Sequence, residues 1–224
     1  MIDYCKKVED IKKRINIALS KSPYNQTVKL IAVSKTFPSD IIKKVYNCGI
    51  LDFGENYVQE LLKKQEELKD LKIKWHFIGH LQKNKAKYIF DKIEMLHSLD
   101  SLELAKILNK RLENKDLKLK CLIQINIGNE PNKYGININE VENFLKAIEN
   151  FKNIEIKGFM CIPPFSIYKE DSRKYYRKMR EIFEMFKNEN ITELSMGMSN
   201  DFEVAIEEGA TMIRIGTLIF GQRV

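Results

Sequence analysis

The sequence predicts an α/β fold, a single (β/α)8 barrel of the TIM type preceded by one extra helix, and three observations carry that prediction. Eight short apolar runs rich in β-branched residues alternate with helical or turn segments from residue 28 onward. The alternation occupies about 200 residues, the lower size range of such barrels. No GxGxxG turn follows the first run, as it would in an open, doubly wound dinucleotide-binding sheet. Residues 1–27 read as an N-terminal helix and lead-in, and 28–224 as the barrel, with no linker or second domain.

Residues 3–20 carry a helical pattern, with Val8, Ile11, Ile15, Ile17 and Ala18 on one face and lysines opposite. Ser22, Pro23 and Asn25 break it. The first strand is Val28 to Ser34. Ser39 then caps a helix to Asn47, stopped by Gly49. The second strand is Ile50 to Phe53, ended by Gly54, and a helix follows over 57–69. Strands three and four are Lys74 to Ile78 and Ile93 to His97, joined by a helix over 83–90. A helix over 101–112 leads to the fifth strand, Leu119 to Ile127, and an extended loop, 128–135. A helix over 139–150 leads to the sixth strand, Ile154 to Met160, which Pro163-Pro164 terminates. A long helix spans 169–189. Glu193 to Ser195 is the seventh strand, 202–208 a helix, Thr211 to Ile215 the eighth strand, and Thr217 to Phe220 a short apolar turn.

Composition narrows the function. The 224 residues are 44% hydrophobic and 31% charged, ordinary for a soluble chain. The net charge of +7 is lysine spread along the chain, which reads as a solvated surface and not a nucleic-acid stripe. No apolar run approaches the ~20 residues of a membrane span, and the charged start, MIDYCKKVED, has no signal-peptide core. These features predict a cytoplasmic protein. Cys5, Cys48, Cys121 and Cys161 are scattered without a CxxC pair and read as reduced thiols, neither a disulfide frame nor a zinc site.

Barrels place their chemistry just after each strand. Those positions are Lys35, Gly54-Glu55-Asn56, Gly79-His80, Ser98, Asn126, Met160, Ser195 to Ser199 and Arg214 to Thr217. Lys35 is either a solvated edge residue or an amine whose pKa falls against apolar walls, making it a nucleophile towards carbonyls. SMGMSND and RIGTLIFG follow strands seven and eight, where barrels often bind phosphate. Gly197 and Gly216 would let backbone approach an anion, and Ser199 and Thr217 would cap the short helices that follow. The plain alternative is two Gly/Ser turns. Arg214, set between Ile213 and Ile215, is either a structural ion pair or a ligand contact at the mouth. Other templates fail: GMSND lacks the second glycine of a GxSxG elbow, HFIGH is not HExxH, and no Walker loop occurs.

Longer motifs run through nearly the whole chain: AVSKT at 32–36, FGENYVQE at 53–60, WHFIGHLQKNK at 75–85, QINIGNEPNKYG at 124–135, GFMCIPP at 158–164 and LSMGMSNDFEVAIEEGATMIRIGTLIFG at 194–221. On them the chain resembles the pyridoxal phosphate homeostasis proteins, the YggS-type family, and is similar to the barrel domain of alanine racemases. The resemblance implies pyridoxal 5'-phosphate as cofactor, held by Lys35 as a Schiff base. It places Asn56 beside the ring and Arg214 at the pyridine nitrogen. The phosphate falls to Ser199 and to backbone N–H groups near Met198, Gly216 and Thr217. His80 lies behind these, near the mouth, and no metal is called for.

The implied role is a carrier that buffers or delivers the cofactor, affecting amino-acid and keto-acid metabolism indirectly, and not a strong catalyst. Apo-enzymes that use the cofactor are the implied recipients, and a monomer is expected. An arginine at the ring nitrogen disfavours its protonation and weakens the ring as an electron sink. Racemases share that arginine but add a second domain that supplies a base. This chain stops at Val224, directly after the barrel's last turn. An amino-acid racemase and a nucleic-acid-binding module using the basic surface are the rival readings.

Overall fold

The apolar runs pair in chain order in the computed structural model, which describes residues 2–222. The strands are β1 (Lys29–Val33), β2 (Asp52–Glu55), β3 (Lys74–Phe77), β4 (Met95–Leu99), β5 (Leu119–Ile125), β6 (Ile154–Cys161), β7 (Glu193–Met198) and β8 (Met212–Ile215). Each runs parallel to its neighbours, and β8 closes onto β1 with Ile31 opposite Arg214 and Ala32 opposite Ile215. The helices are α1 (Tyr4–Leu19), α2 (Ser39–Tyr46), α3 (Val58–Glu67), α4 (Leu102–Glu113), α5 (Val141–Ile148), α6 (Arg173–Phe186), α7 (Phe202–Glu207) and α8 (Thr217–Phe220). The expected (β/α)8 barrel with an added N-terminal helix is therefore the observed one.

Side chains on a strand point alternately to its two faces. Along β8, Met212 joins an inner cluster with Ile31, Met95, Leu122 and Met160, while Ile213 and Ile215 join the larger cluster between sheet and helices. Arg214 therefore belongs to the inward-facing set. The helix α1 buries Tyr4, Val8, Ile11, Ile15 and Ala18. Ile17, expected on that face, is 58% exposed, because two positions from Ile15 is about 200° around the helix, on its opposite side. Arg14 of α1 reaches Glu203 of α7 at 2.6 Å, fixing the added helix against the barrel's outer layer.

Several boundaries move. The strand expected over 50–53 lies at 52–55, and the one expected over 93–97 lies at 95–99. Cross-strand pairing decides this: Asp52 sits opposite Lys74, and Met95 opposite His76. Gly54, Glu55, Ser98 and Ser195 consequently lie within strands and not on the mouth. Met160 also leaves the mouth, as part of the inner core. The segment after β3 forms a 3₁₀ helix over Lys83–Tyr88, and the long helix expected over 169–189 begins as a 3₁₀ turn, Lys169–Ser172, before α6. Ser39 does not cap α2. Pro38 holds that position, and the Ser39 hydroxyl donates to Glu67 Oε2 at 2.5 Å.

The cysteine expectation fails for two of the four. Cys5 of α1 and Cys48, just after α2, form a disulfide with Cα atoms 5.0 Å apart. Sequence spacing could not show it, because the pair meets only once α1 folds back over α2. Cys121 and Cys161 remain thiols, and burial pushes both upward in pKa, Cys161 to about 12. Among the described residues no helix is long and apolar enough to cross a membrane.

The bridge joins residues 43 apart, a loop for which chain entropy gives a stabilisation of about 2–4 kcal/mol. Reductant should therefore lower the thermal midpoint, and Cys5→Ser should remove that sensitivity. A melting curve indifferent to reductant would show the bridge contributes nothing.

Candidate functional site

Strand β1 ends at a turn braced by side chains of β2 and α3. Thr36 takes a positive φ of 70°, uncommon for a side-chain-bearing residue. Its N–H donates to Glu60 Oε1 at 2.5 Å. Behind the turn lies a buried charge cluster. The Lys64 ammonium donates to Glu55 Oε1 at 2.7 Å, Glu60 Oε1 at 2.6 Å and the Ser34 carbonyl at 2.8 Å, and the Ser34 hydroxyl donates to Glu55 at 2.6 Å. Burial raises the Glu55 pKa, and the Lys64 charge and the hydrogen bonds from Lys64 and Ser34 oppose it. The turn so fixed presents Lys35, half-buried, to a cavity of about 380 Å³.

That cavity sits at the carboxyl end of the strands. Lys35, Asn56, Met198, Ser199, Arg214, Gly216 and Thr217 all line it, so the seven residues singled out from sequence converge. Gly79 backs Asn56 closely: a Cβ there would stand 2.3 Å from the Asn56 carbonyl oxygen. Asn56 Oδ1 is buried and has no hydrogen-bond partner among the described residues. Arg214, 4% exposed, donates to the Ser195 hydroxyl and to the Cys161 carbonyl at 2.9 Å. Lys133 also lines the cavity, paired with Glu130 at 2.5 Å. Lys35, Lys133 and Arg214 are thus cationic groups among the described residues of its wall, beside the carboxylate of Asp201. Pro163, Pro164 and the 88% exposed Phe165 form part of its rim.

The turns after β7 and β8 are built differently from the expectation. Ser199 does not cap the helix after β7. Its hydroxyl instead accepts from Gly216 N at 3.2 Å and Leu218 N at 3.5 Å, tying the two turns together at the start of α8. Asp201 is the residue before α7, and its Oδ1 accepts from Met198 N at 2.9 Å. The Met198 N–H is thereby engaged within the protein. Asp201 Oδ2 accepts from Ser172 and from Tyr176, whose pKa burial drives upward. Gly197, at φ 93°, serves packing: a Cβ would stand 2.6 Å from the Ala205 Cβ of α7. Thr217 is the first residue of α8 and gives no side-chain cap.

His80 lines a neighbouring cavity of about 370 Å³ that shares Asn56 with the first. Its ring stacks on Tyr134 at 3.7 Å and approaches Asp100 at 3.4 Å. A larger groove of about 670 Å³ borders α5 and α6, and three of the lysines lining it pair with glutamates, Lys146 with Glu142 at 2.6 Å, Lys157 with Glu155 at 3.2 Å and Lys118 with Glu155 at 3.8 Å. Among the described residues no group of His, Cys, Asp or Glu is placed to hold a metal ion. Sequence reasoning missed Asp201, Lys133, Glu60 and Lys64. Only an acidic residue in each turn and a lysine one helical turn after Glu60 hinted at them.

The family described as "Alanine racemase, N-terminal domain" matches residues 8–224. A pyridoxal phosphate homeostasis protein of Aquifex aeolicus is 43% identical over 223 residues, covering 98% of each chain. The chain belongs to the pyridoxal phosphate homeostasis protein family. Another member, from Haemophilus influenzae, is 41% identical over 95% of this chain and 93% of its own. The solved structure of PipY from Synechococcus elongatus with PLP bound superposes with a TM-score of 0.85 at 32% identity, covering 98% of this chain and all of that one. Alanine racemase from Corynebacterium glutamicum shares the fold at a TM-score of 0.67 and 16% identity, over 62% of that chain.

The charge cluster behind Lys35 generates a stability prediction. Lys64→Ala strands the buried Glu55 carboxylate and should cost about 3–5 kcal/mol in urea unfolding. A loss below about 1 kcal/mol would show that Glu55 is held neutral.

Proposed function

We propose that this chain binds pyridoxal 5'-phosphate in the cavity beside Lys35 and serves as a carrier that buffers or delivers it. The observation that carries the reading is the convergence of an amine, an arginine, an unpartnered amide oxygen and two tied Gly/Ser turns on one cavity of about 380 Å³. A phosphate-bearing aromatic aldehyde fits that set of groups. Bound there, the group supplies an aldehyde that condenses with a primary amine. Lys35 is the covalent anchor, as a Schiff base. Ser199 and Thr217 hold the phosphate, with Gly216, whose N–H is committed to Ser199, shaping the turn beside them; Arg214 donates to the ring nitrogen and Asn56 lies beside the ring. Met198 contributes its place in the wall, since its N–H is committed to Asp201. His80 stands one cavity away, behind Asn56.

The carrier role follows from what surrounds the anchor. The rim carries exposed Phe165, and an arginine at the ring nitrogen disfavours electron-sink chemistry. Effects on amino-acid and keto-acid metabolism would then be indirect, through apo-enzymes that receive the cofactor. One chain completes the cavity, which supports a monomer. The reading places the protein in the cytoplasm, with the Cys5–Cys48 bridge an exception to the reduced thiols usual there.

Borohydride treatment after loading should leave a pyridoxyl group on Lys35, located by peptide mapping, and Lys35→Ala should abolish it. A label on another lysine would overturn the site. Loaded protein mixed with single L-amino acids should leave their configuration unchanged by chiral chromatography. Turnover above ~1 s⁻¹ would restore the racemase reading.

A further inference from the structure

A line of buried polar side chains crosses the barrel interior from the face opposite the mouth. Asp52 opens β2 at that face, its side chain 16% exposed. Its Oδ1 lies 2.9 Å from His76 Nε2 of β3. His76 Nδ1 lies 3.0 Å from His97 Nε2 of β4, and His97 Nδ1 lies 3.1 Å from the Ser195 Oγ of β7. Ser195 Oγ accepts from Arg214 Nη1 of β8. His76, His97 and Ser195 are all fully buried. None of the three lines the cavity.

With both rings neutral, the two ends decide where every hydrogen sits. A carboxylate only accepts, and a guanidinium only donates. His76 Nε2 must therefore carry hydrogen to reach Asp52. In a neutral ring that leaves Nδ1 bare, so His97 Nε2–H donates to it. His97 Nδ1 is then bare and accepts the Ser195 hydroxyl hydrogen, while Ser195 oxygen accepts from Arg214. Four bonds point one way, from Arg214 to Asp52, with His76, His97 and Ser195 each used once as donor and once as acceptor. Burial holds His97 well below the usual imidazole range and so keeps its ring neutral. Burial works against the Asp52 carboxylate, but the His76 hydrogen bond, with the charges of Lys29 and Lys74, holds its pKa below the usual value. A proton added at His76 Nδ1 would reverse both bonds between it and Ser195.

We propose that Asp52, His76, His97 and Ser195 are positioning residues for Arg214: one oriented file of hydrogen bonds that fixes its guanidinium at the ring-nitrogen side of the cofactor cavity. The proposal rests on the cofactor assignment above. Ser195 takes one terminal nitrogen of the guanidinium and the Cys161 carbonyl the other, so the group cannot swing towards the mouth. The file explains why ionisable rings occupy a barrel interior that otherwise holds Ile31, Leu122 and methionines. Buried polar groups are costly unless every member is satisfied, and here each is.

Two measurements test it. Nitrogen-15-labelled histidine gives only three side chains to resolve. Long-range proton–nitrogen correlations at pH 7, on the unsubstituted protein without cofactor, should show hydrogen on Nε2 and a bare Nδ1 in both His76 and His97. Hydrogen on His97 Nδ1 overturns the proposal. The second measurement titrates pyridoxal phosphate into His76→Phe, which ends the file, and His76→Gln, which keeps a donor and an acceptor. His76→Phe should bind about tenfold more weakly, the size of one hydrogen bond to a charged group, with a shifted cofactor absorption band. His76→Gln should keep the parent's values. Equal values in the two variants overturn the proposal. If the parent binds no pyridoxal phosphate, the cofactor assignment fails, while the labelling result still decides the file.

Discussion

Closure of β8 onto β1 is the constraint on which the site depends. Parallel neighbours lie about 4.8 Å apart, so the residues that follow these two strands become neighbours although they stand at opposite ends of the chain. The register Ala32 to Ile215 carries Val33 to the level of Gly216. Lys35 and the start of α8 thus share one rim, and Ser199 joins them through its bonds to Gly216 and Leu218. An open sheet would separate the amine from both turns.

Around that seam the protein buries charge to hold position. Glu55, Lys64 and Glu60 brace the turn that carries Lys35, while Asp201 braces the turn after β7 by accepting from Met198 N, Ser172 and Tyr176. Such clusters are weak contributors to stability but define one geometry, since removing any member leaves a buried group unmatched. Lys35 and Arg214 therefore approach the cavity from two independently fixed walls. In the role proposed for them, as covalent anchor and ring-nitrogen donor, that fixed spacing matters more than strength.

The same economy appears in the barrel interior. Small barrels fill their centre with side chains, and here methionines and branched aliphatics share it with the His76, His97 and Ser195 file. The apolar part seals the core, and the polar part reaches Arg214. At the outer layer the Cys5–Cys48 bridge pins α1 beside α2, holding the added helix where Arg14 meets Glu203.

The sequence by itself determined the strand–helix alternation, the barrel, the long family motifs and the seven residues that meet in the cavity. Apolar periodicity and motif order are local properties, readable without a partner strand. The tertiary structure alone decided the rest. Ser199 looked like the cap of its own following helix but caps α8, because only folding brings the second turn within reach. Ser195 and Ser98 looked like mouth residues until cross-strand pairing set the strand ends. The Cys5–Cys48 bridge, the Lys64 cluster and the histidine file join residues far apart in sequence, and no spacing along a single chain encodes which distant groups will complete a hydrogen bond.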